Sequence, residues 1–134
     1  MANPNILAAA TLKGNTAYVI PSTTSATVSW TYDGTSSLTG LTPLTNTVNR
    51  VTSIVVSNTT ASAASCTVAI GNSATFGSAT VVSYFAYQIS VPANASLIVV
   101  DKTMSFYVTE NQSVGVTSGT ASALTYTATF EAIT

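Results

Sequence analysis

The sequence predicts an all-β fold, an antiparallel β-sandwich of the immunoglobulin-like or jelly-roll type with about eight to ten strands. Three observations predict it. Apolar and polar residues alternate with a period of two, β-branched and hydroxyl residues fill the alternate positions, and turn residues separate the segments. The 134 residues fit a single domain. A closed barrel is the alternative architecture.

The alternation is clearest near the C-terminus, where Leu124, Tyr126, Ala128 and Phe130 alternate with threonines. Similar patterns occur at residues 26–32 and 81–91. We predict strands near residues 16–20, 25–32, 48–57, 65–70, 80–91, 96–100, 104–109, 113–117 and 123–131, and a tenth within 6–12. We predict a core formed by Val28, Trp30, Ile54, Val56, Cys66, Val68, Phe85, Ile89, Val99, Phe106, Val108, Tyr126 and Phe130.

Two apolar segments lack this alternation. We divide the chain into an N-terminal arm at 1–15 and a sandwich domain at 16–134, which carries a long loop at 33–46. Within the loop, leucines recur at spacing three, which is compatible with one helical turn, and glycine and proline argue against more. Apolar side chains left in water mark an interface. The predicted protein interface is Ile6, Leu7, Leu12, Leu38, Leu41, Leu44, Tyr84 and Tyr107.

The charge content is unusually low. Only 5% of the residues are charged, whereas 25 threonines and 18 serines supply hydroxyl groups. Three basic residues cannot neutralise a row of phosphates, so we expect no nucleic-acid partner. No apolar run approaches the length that spans a bilayer, and no basic region precedes the apolar N-terminal run, so we expect a protein made in a cytosol, without a membrane partner.

The residue types present disfavour catalysis and cofactors. Histidine is absent, which removes the usual activation of a serine or cysteine nucleophile and the usual zinc ligands. Cys66 shares its parity with neighbouring apolar residues and is predicted to be a buried hydrophobe. The carboxylates Asp33, Asp101, Glu110 and Glu131 are assigned to turns or the chain end as solvated charges. A calcium site or a paired-carboxylate site at these residues is a lesser alternative. We therefore expect no enzyme, no metal and no cofactor.

Aromatic residues offer a further alternative. Trp30, Tyr32, Tyr84, Phe85, Tyr87 and Tyr107 could form a platform for sugars. The parity of Trp30, Phe85 and Tyr87 instead predicts core packing, while Tyr84 and Tyr107 have the opposite parity and are assigned to an exposed or interface position.

Three segments carry a resemblance to a known group of proteins. The strand and turn SLIVVDK, the hairpin YVTENQSVGVTSG and the final strand LTYTATFEAI resemble the C-terminal part of small virion structural proteins of tailed bacteriophages, of the kind found in phages of cyanobacteria and marine bacteria. The opening MANPN and the segment TAYVIPSTTSATV are similar to the starts of such proteins. Residues 33–46 are not part of the resemblance, and no catalytic motif is carried over.

The resemblance implies a virion component that is made in the host cytoplasm and assembled in many copies. Within that class we expect first a capsid decoration (cement) protein that binds the major capsid protein and forms a homo-oligomer. A tail, neck or fibre component is the alternative, and a carbohydrate-binding adhesin module is the second alternative.

Overall fold

A computed structural model describes residues 5–27, 29–32, 34, 36–73 and 81–134. The predicted all-β class is confirmed: these residues form two antiparallel sheets, with helical structure limited to short 3-10 turns at Ile6–Ala8 and Lys102–Met104. The ten strands are β1 Leu12–Val19, β2 Ser29–Tyr32, β3 Ser36–Thr39, β4 Val48–Asn58, β5 Ala64–Gly71, β6 Val81–Val91, β7 Ser96–Val100, β8 Phe106–Val108, β9 Ser113–Ser118 and β10 Leu124–Ile133.

The larger sheet has the strand order β3-β2-β1-β10-β4-β7, and β8 also pairs with β4. Strand β4 is eleven residues long, so β8 pairs with its first half and β7 with its second half on the same edge. The smaller sheet has the order β6-β5-β9. Its strand β9 also bonds to the residues that flank β2 and β3 of the larger sheet. Thr27, before β2, and Val116 exchange backbone hydrogen bonds of 2.8 and 2.9 Å. The backbone N–H of Val114 donates to the carbonyl oxygen of Gly40, after β3, at 2.7 Å.

The core lies between the two sheets, where alternate side chains of β4, β5, β9 and β10 face each other. Nine predicted core residues are buried: Trp30, Ile54, Val56, Cys66, Val68, Val99, Val108, Tyr126 and Phe130. Phe85 and Phe106 are only partly buried and stack on each other at 4.4 Å between ring centroids. Val28 lies outside the described residues.

Ile89 is the core prediction that is wrong. It lies opposite the buried Cys66 in the register but is 44% exposed. Strand β6 is the last strand of the smaller sheet, so an inward-facing side chain on it can extend past the margin of the larger sheet. Parity correctly predicted that Ile89 faces inward. It could not predict that the larger sheet does not cover β6 at this position.

The N-terminal arm is shorter than predicted. Residues from Leu12 onward belong to β1, which pairs with β10 from the register Leu12 with Ile133 onward. The tenth strand predicted within 6–12 is therefore replaced by a 3-10 turn at Ile6–Ala8, capped by Asn5, and by the start of β1. Before β1, Ala10 and Thr11 still donate to the carbonyl oxygen of Thr134.

The segment 33–46 is not one loop. It contains strand β3, which forms a hairpin with β2 in a register that sets Leu38 opposite Trp30. The glycines and the proline favoured a loop, but the serine and threonine residues of this segment form a short edge strand. A turn follows, in which Gly40 and Leu41 both have positive φ, and the side chain of Leu41 is fully buried.

A buried asparagine organises the turn between β4 and β5. Asn58 is 3% exposed, and its amide nitrogen donates to the carbonyl oxygens of Ser62 at 2.8 Å and Val91 at 3.0 Å. Its oxygen accepts from the backbone N–H and the hydroxyl of Thr60. All the polar atoms of this buried side chain are thus engaged, and its side-chain amide is not accessible from the surface.

Candidate functional site

The outer face of the larger sheet carries four large exposed apolar side chains, those of Leu12, Tyr18, Ile98 and Tyr107. The register aligns Thr31, Tyr18, Thr127, Val55 and Ile98 in one row across five strands. Tyr18 is 43% exposed and Ile98 is 66% exposed. Two threonines, Thr31 and Thr127, lie on either side of Tyr18 in this row. Every second side chain of each strand points outward, so this row is part of one continuous surface of methyl and hydroxyl groups.

A second row on this face carries the charge. Gly14, Glu131, Arg50 and Tyr107 are aligned across four strands. Arg50 Nη1 lies 3.6 Å from Glu131 Oε2, and Arg50 Nη2 donates to the hydroxyl of Ser105. The pair neutralises both charges, so the outer face of the larger sheet presents little net field to a partner.

A groove lies on the inner side of the larger sheet, past the area that the smaller sheet covers. Its volume is about 300 Å³, and its lining is largely apolar. Leu38 and Leu44 meet there, so two of the predicted interface residues share one site. The other lining residues are Lys13, Asn15, Tyr32, Pro43, Thr47, Asn49, Phe130 and Ala132.

A trough lies on the outer face of the smaller sheet. We call it the tyrosine trough, because Tyr84 and Tyr87 of β6 form one wall. Their ring centroids are 4.8 Å apart at an interplanar angle of 68°, which is an edge-to-face contact. The other lining residues are Ala26, Thr67, Ala69, Val81, Gln88, Gly115 and Thr117.

The seven predicted interface residues whose side chains the structure describes divide into three groups. Leu7 is 97% exposed and Leu44 is 78% exposed, and Leu12, Tyr84 and Tyr107 are also exposed. Leu38 is partly buried against the core. The assignment of Leu41 to an exposed interface is wrong, because the positive φ of Gly40 and Leu41 turns this side chain into the core. The side chain of Ile6 lies outside the described residues.

Several exposed apolar residues were missed from the sequence, among them Ile98, Tyr87 and Val82. Ile98 was assigned only to a strand, and its outward position follows from its pairing with Val55. Tyr87 was assigned to core packing and is 57% exposed, because a bulge turns it outward. Val82 is also exposed, at 61%. The alternation within 96–100 could have identified Ile98, whereas bulges leave no signal in alternation.

Each of the three carboxylates that the structure describes has a partner in the chain. Asp101 accepts from the hydroxyl and the backbone N–H of Thr103, and these hydrogen bonds lower its pKa. Glu110 Oε1 accepts from the backbone N–H of Asn46 at 2.7 Å. Glu131 lies in β10, not at a free chain end, and pairs with Arg50. Asp33 lies outside the described residues, and among the described ones no three metal-ligating side chains cluster.

Cys66 is a free, fully buried thiol in the core, as its parity predicted. Burial raises the pKa of its thiol. Burial also raises the pKa of the nearby Tyr126, whose hydroxyl donates to the carbonyl oxygen of Thr117 at 2.6 Å. Both groups are therefore held in their neutral forms, and neither is presented to a ligand at the surface.

No protein-family model, curated protein or solved structure matches the chain. Across the described part of the chain, no helix has the length and apolar character needed to cross a membrane.

Proposed function

We propose that this chain is a non-enzymatic structural protein of a bacteriophage virion, most specifically a capsid decoration protein that binds the major capsid protein and stabilises the particle. The resemblance of the segments around β7, β8, β9 and β10 to phage virion proteins supports the class. The observation that carries the proposal is the outer face of the larger sheet, where exposed apolar side chains stand among hydroxyl groups and the charges are paired.

This surface suits stable contact with another protein. Burying the exposed part of a side chain such as Ile98 or Leu12 against a partner contributes about 1–2 kcal/mol. Threonine and serine hydroxyls can be paired with backbone groups of the partner, so the polar part of the face loses little on desolvation. An extended sheet face also packs readily against a second sheet, whether of the capsid or of another copy of this chain.

The N-terminal arm adds a second contact. Leu7 is 97% exposed on a 3-10 turn that leaves the larger sheet at the margin where β1 begins and β10 ends. An arm of this kind can lie across a neighbouring subunit and bury an apolar side chain there. The proposed interface is therefore the outer face of the larger sheet together with residues 5–9.

Binding to particles that lack the chain tests the proposal. The purified protein should co-sediment with such particles, and Ile98→Ser or deletion of residues 1–9 should weaken binding about ten-fold or more. Val82→Ser is the matched control, because Val82 is 61% exposed on the other sheet. Raising the salt concentration should change the affinity little, since so few charges are present.

A tail, neck or fibre component is the alternative within the same class, and it would use the same surface on a different partner. Co-sedimentation with tail assemblies but not with capsids would favour it. The second alternative, a carbohydrate-binding adhesin module, depends on the tyrosine trough, which lies on the opposite side of the sandwich.

A further inference from the structure

The tyrosine trough exists because strand β6 is irregular. Tyr84 and Tyr87 are three positions apart, and regular alternation would place them on opposite faces. Tyr84 pairs with Ala69 and Ala86 pairs with Val68, so Phe85 is an extra residue between these pairs, and this β-bulge places Tyr87 on the same outer face as Tyr84. A second bulge follows directly, because Ile89 pairs with Cys66 and Tyr87 and Gln88 together oppose Thr67.

The second bulge is fixed by a local hydrogen bond and carries backbone strain. Gln88 has a φ of 50°, in the left-handed region that favours glycine, and its backbone N–H donates to the hydroxyl oxygen of Thr67 at 3.0 Å. Backbone strain of this kind persists where the surrounding structure enforces it, and bulges commonly re-aim a side chain beside a binding site. Two half-exposed aromatic rings are thus held together at a defined place.

The floor of the trough consists of small side chains. Ala69 lies opposite Tyr84 on one side and Gly115 on the other, and Thr67 lies opposite Thr117. Ala69 is only 2% exposed although it belongs to the outward-facing set of β5. The low floor beside the tyrosine wall creates an open volume of about 280 Å³.

The chemistry of the lining selects a ligand class. None of the lining residues is ionisable at neutral pH, so the trough has nothing to hold a phosphate, a carboxylate or an ammonium group. It combines aromatic surface with the hydroxyls of Thr67 and Thr117 and the amide of Gln88. Since Thr67 accepts from Gln88, its own O–H remains to donate to a ligand.

We infer that the tyrosine trough binds a neutral saccharide, with the apolar face of a sugar ring against the tyrosines and its hydroxyl groups paired with Gln88, Thr67 and Thr117. The volume is slightly below the roughly 300–1,000 Å³ of pockets that enclose drug-sized ligands, so it holds a short part of a glycan whose remainder stays in water. A peptide strand is disfavoured, because the floor strand β5 is paired on both sides and offers no free backbone groups.

This inference is independent of the proposed virion role, since the trough and the outer face of the larger sheet lie on opposite sides of the sandwich. Either surface can be changed without the other. A virion protein could present the trough outward while the larger sheet faces the particle.

An array of neutral and anionic glycans, followed by calorimetric titration with maltohexaose, cellohexaose and chitohexaose, tests the inference. We expect a neutral oligosaccharide to bind, and Tyr84→Ala and Tyr87→Ala each to weaken the binding about ten-fold. Tyr107→Ala is the matched control, because Tyr107 is 44% exposed on the larger sheet, and its affinity should equal that of the unchanged protein.

Amide chemical shifts of the unchanged protein provide a readout that does not depend on the variants. Titration with the bound oligosaccharide should shift the amide signals of Thr67, Gln88, Gly115 and Thr117. The inference is overturned if no neutral glycan binds, if only anionic glycans bind, if the shifted signals lie on the larger sheet, or if both tyrosine variants bind as well as the control.

Discussion

The indole N–H of Trp30 donates to the carbonyl oxygen of Val114 at a distance of 3.2 Å, which links β2 of the larger sheet to β9 of the smaller one. Trp30 is fully buried, so this hydrogen bond crosses the core out of reach of water. The backbone N–H of the same Val114 donates to the carbonyl oxygen of Gly40, in the turn that follows β3. The two sheets are thus joined by directional bonds at one end of β9 as well as by apolar packing.

Replacing this tryptophan tests the link. Trp30→Phe keeps an aromatic ring but removes the donor, and we expect a loss of about 1–3 kcal/mol in the free energy of unfolding. Trp30→Ala should cost about 3–5 kcal/mol, because it also leaves a cavity. Denaturant unfolding measures both. If Trp30→Phe is as stable as the unchanged protein, the hydrogen bond contributes nothing.

Gly40 is required for two reasons. Its φ is 63°, and a Cβ at this position would collide with the side chain of Ser113. We expect Gly40→Ala to cost about 2 kcal/mol or more, since backbone strain and the clash add. Gly14→Ala is the control, because its Cβ would meet nothing and its φ is ordinary, and it should be neutral or slightly stabilising. Equal melting temperatures for the two variants would contradict the tight approach of Gly40 to β9.

Leu41 and Leu44 should respond in opposite ways to the same substitution. Leu41 is fully buried, so Leu41→Ser should cost about 3–5 kcal/mol through the cavity and the buried hydroxyl. Leu44 is 78% exposed, so Leu44→Ser should leave the free energy of unfolding within about 0.5 kcal/mol. Thermal melting measures the difference. Comparable losses for both variants would mean that Leu44 is also part of the core.

The pH dependence of stability should be flat near neutrality and fall at both extremes. No histidine is present to titrate between pH 5 and 8. The lowered pKa of Asp101 contributes stability that is present above the ordinary aspartate pKa of about 3.9 and is lost as the pH falls through its folded value.

At alkaline pH the sign is reversed. The pKa values of Cys66 and Tyr126 are raised in the folded state, so the unfolded chain releases protons first. Stability should therefore decline as the pH rises above about 8.5 and further above about 10. Melting temperatures between pH 3 and 11 measure both limbs. A steep change between pH 6 and 8 would contradict this account.

Alternation in the sequence predicted the fold class and most of the core, because side chains of a regular strand such as β10 must alternate between core and surface. It failed where the backbone is irregular. The bulge at Phe85 reverses the parity of Tyr87, and the positive φ of Leu41 buries a residue in an apparent loop. Such features depend on contacts between distant strands, which no local pattern contains.

The interface itself stays a prediction, and the structure bears only on the exposure of its residues. Leu7 and Leu44 lie outside regular strands and are exposed. Leu38 is partly buried, because β3 pairs with β2 in the larger sheet. The tyrosine trough could not be predicted, because it needs the bulge of β6 and the small residues of β5 and β9 at matching register.

The most direct test of the virion role is electron microscopy of particles from cells that produce this chain, labelled with gold-conjugated antibody against it. We expect gold distributed over the capsid surface in many copies per particle. Label confined to the tail, neck or fibres would contradict capsid decoration and leave the structural class intact. Particles without label, in a preparation where the antibody detects the free chain in the same lysate, would contradict the virion role itself.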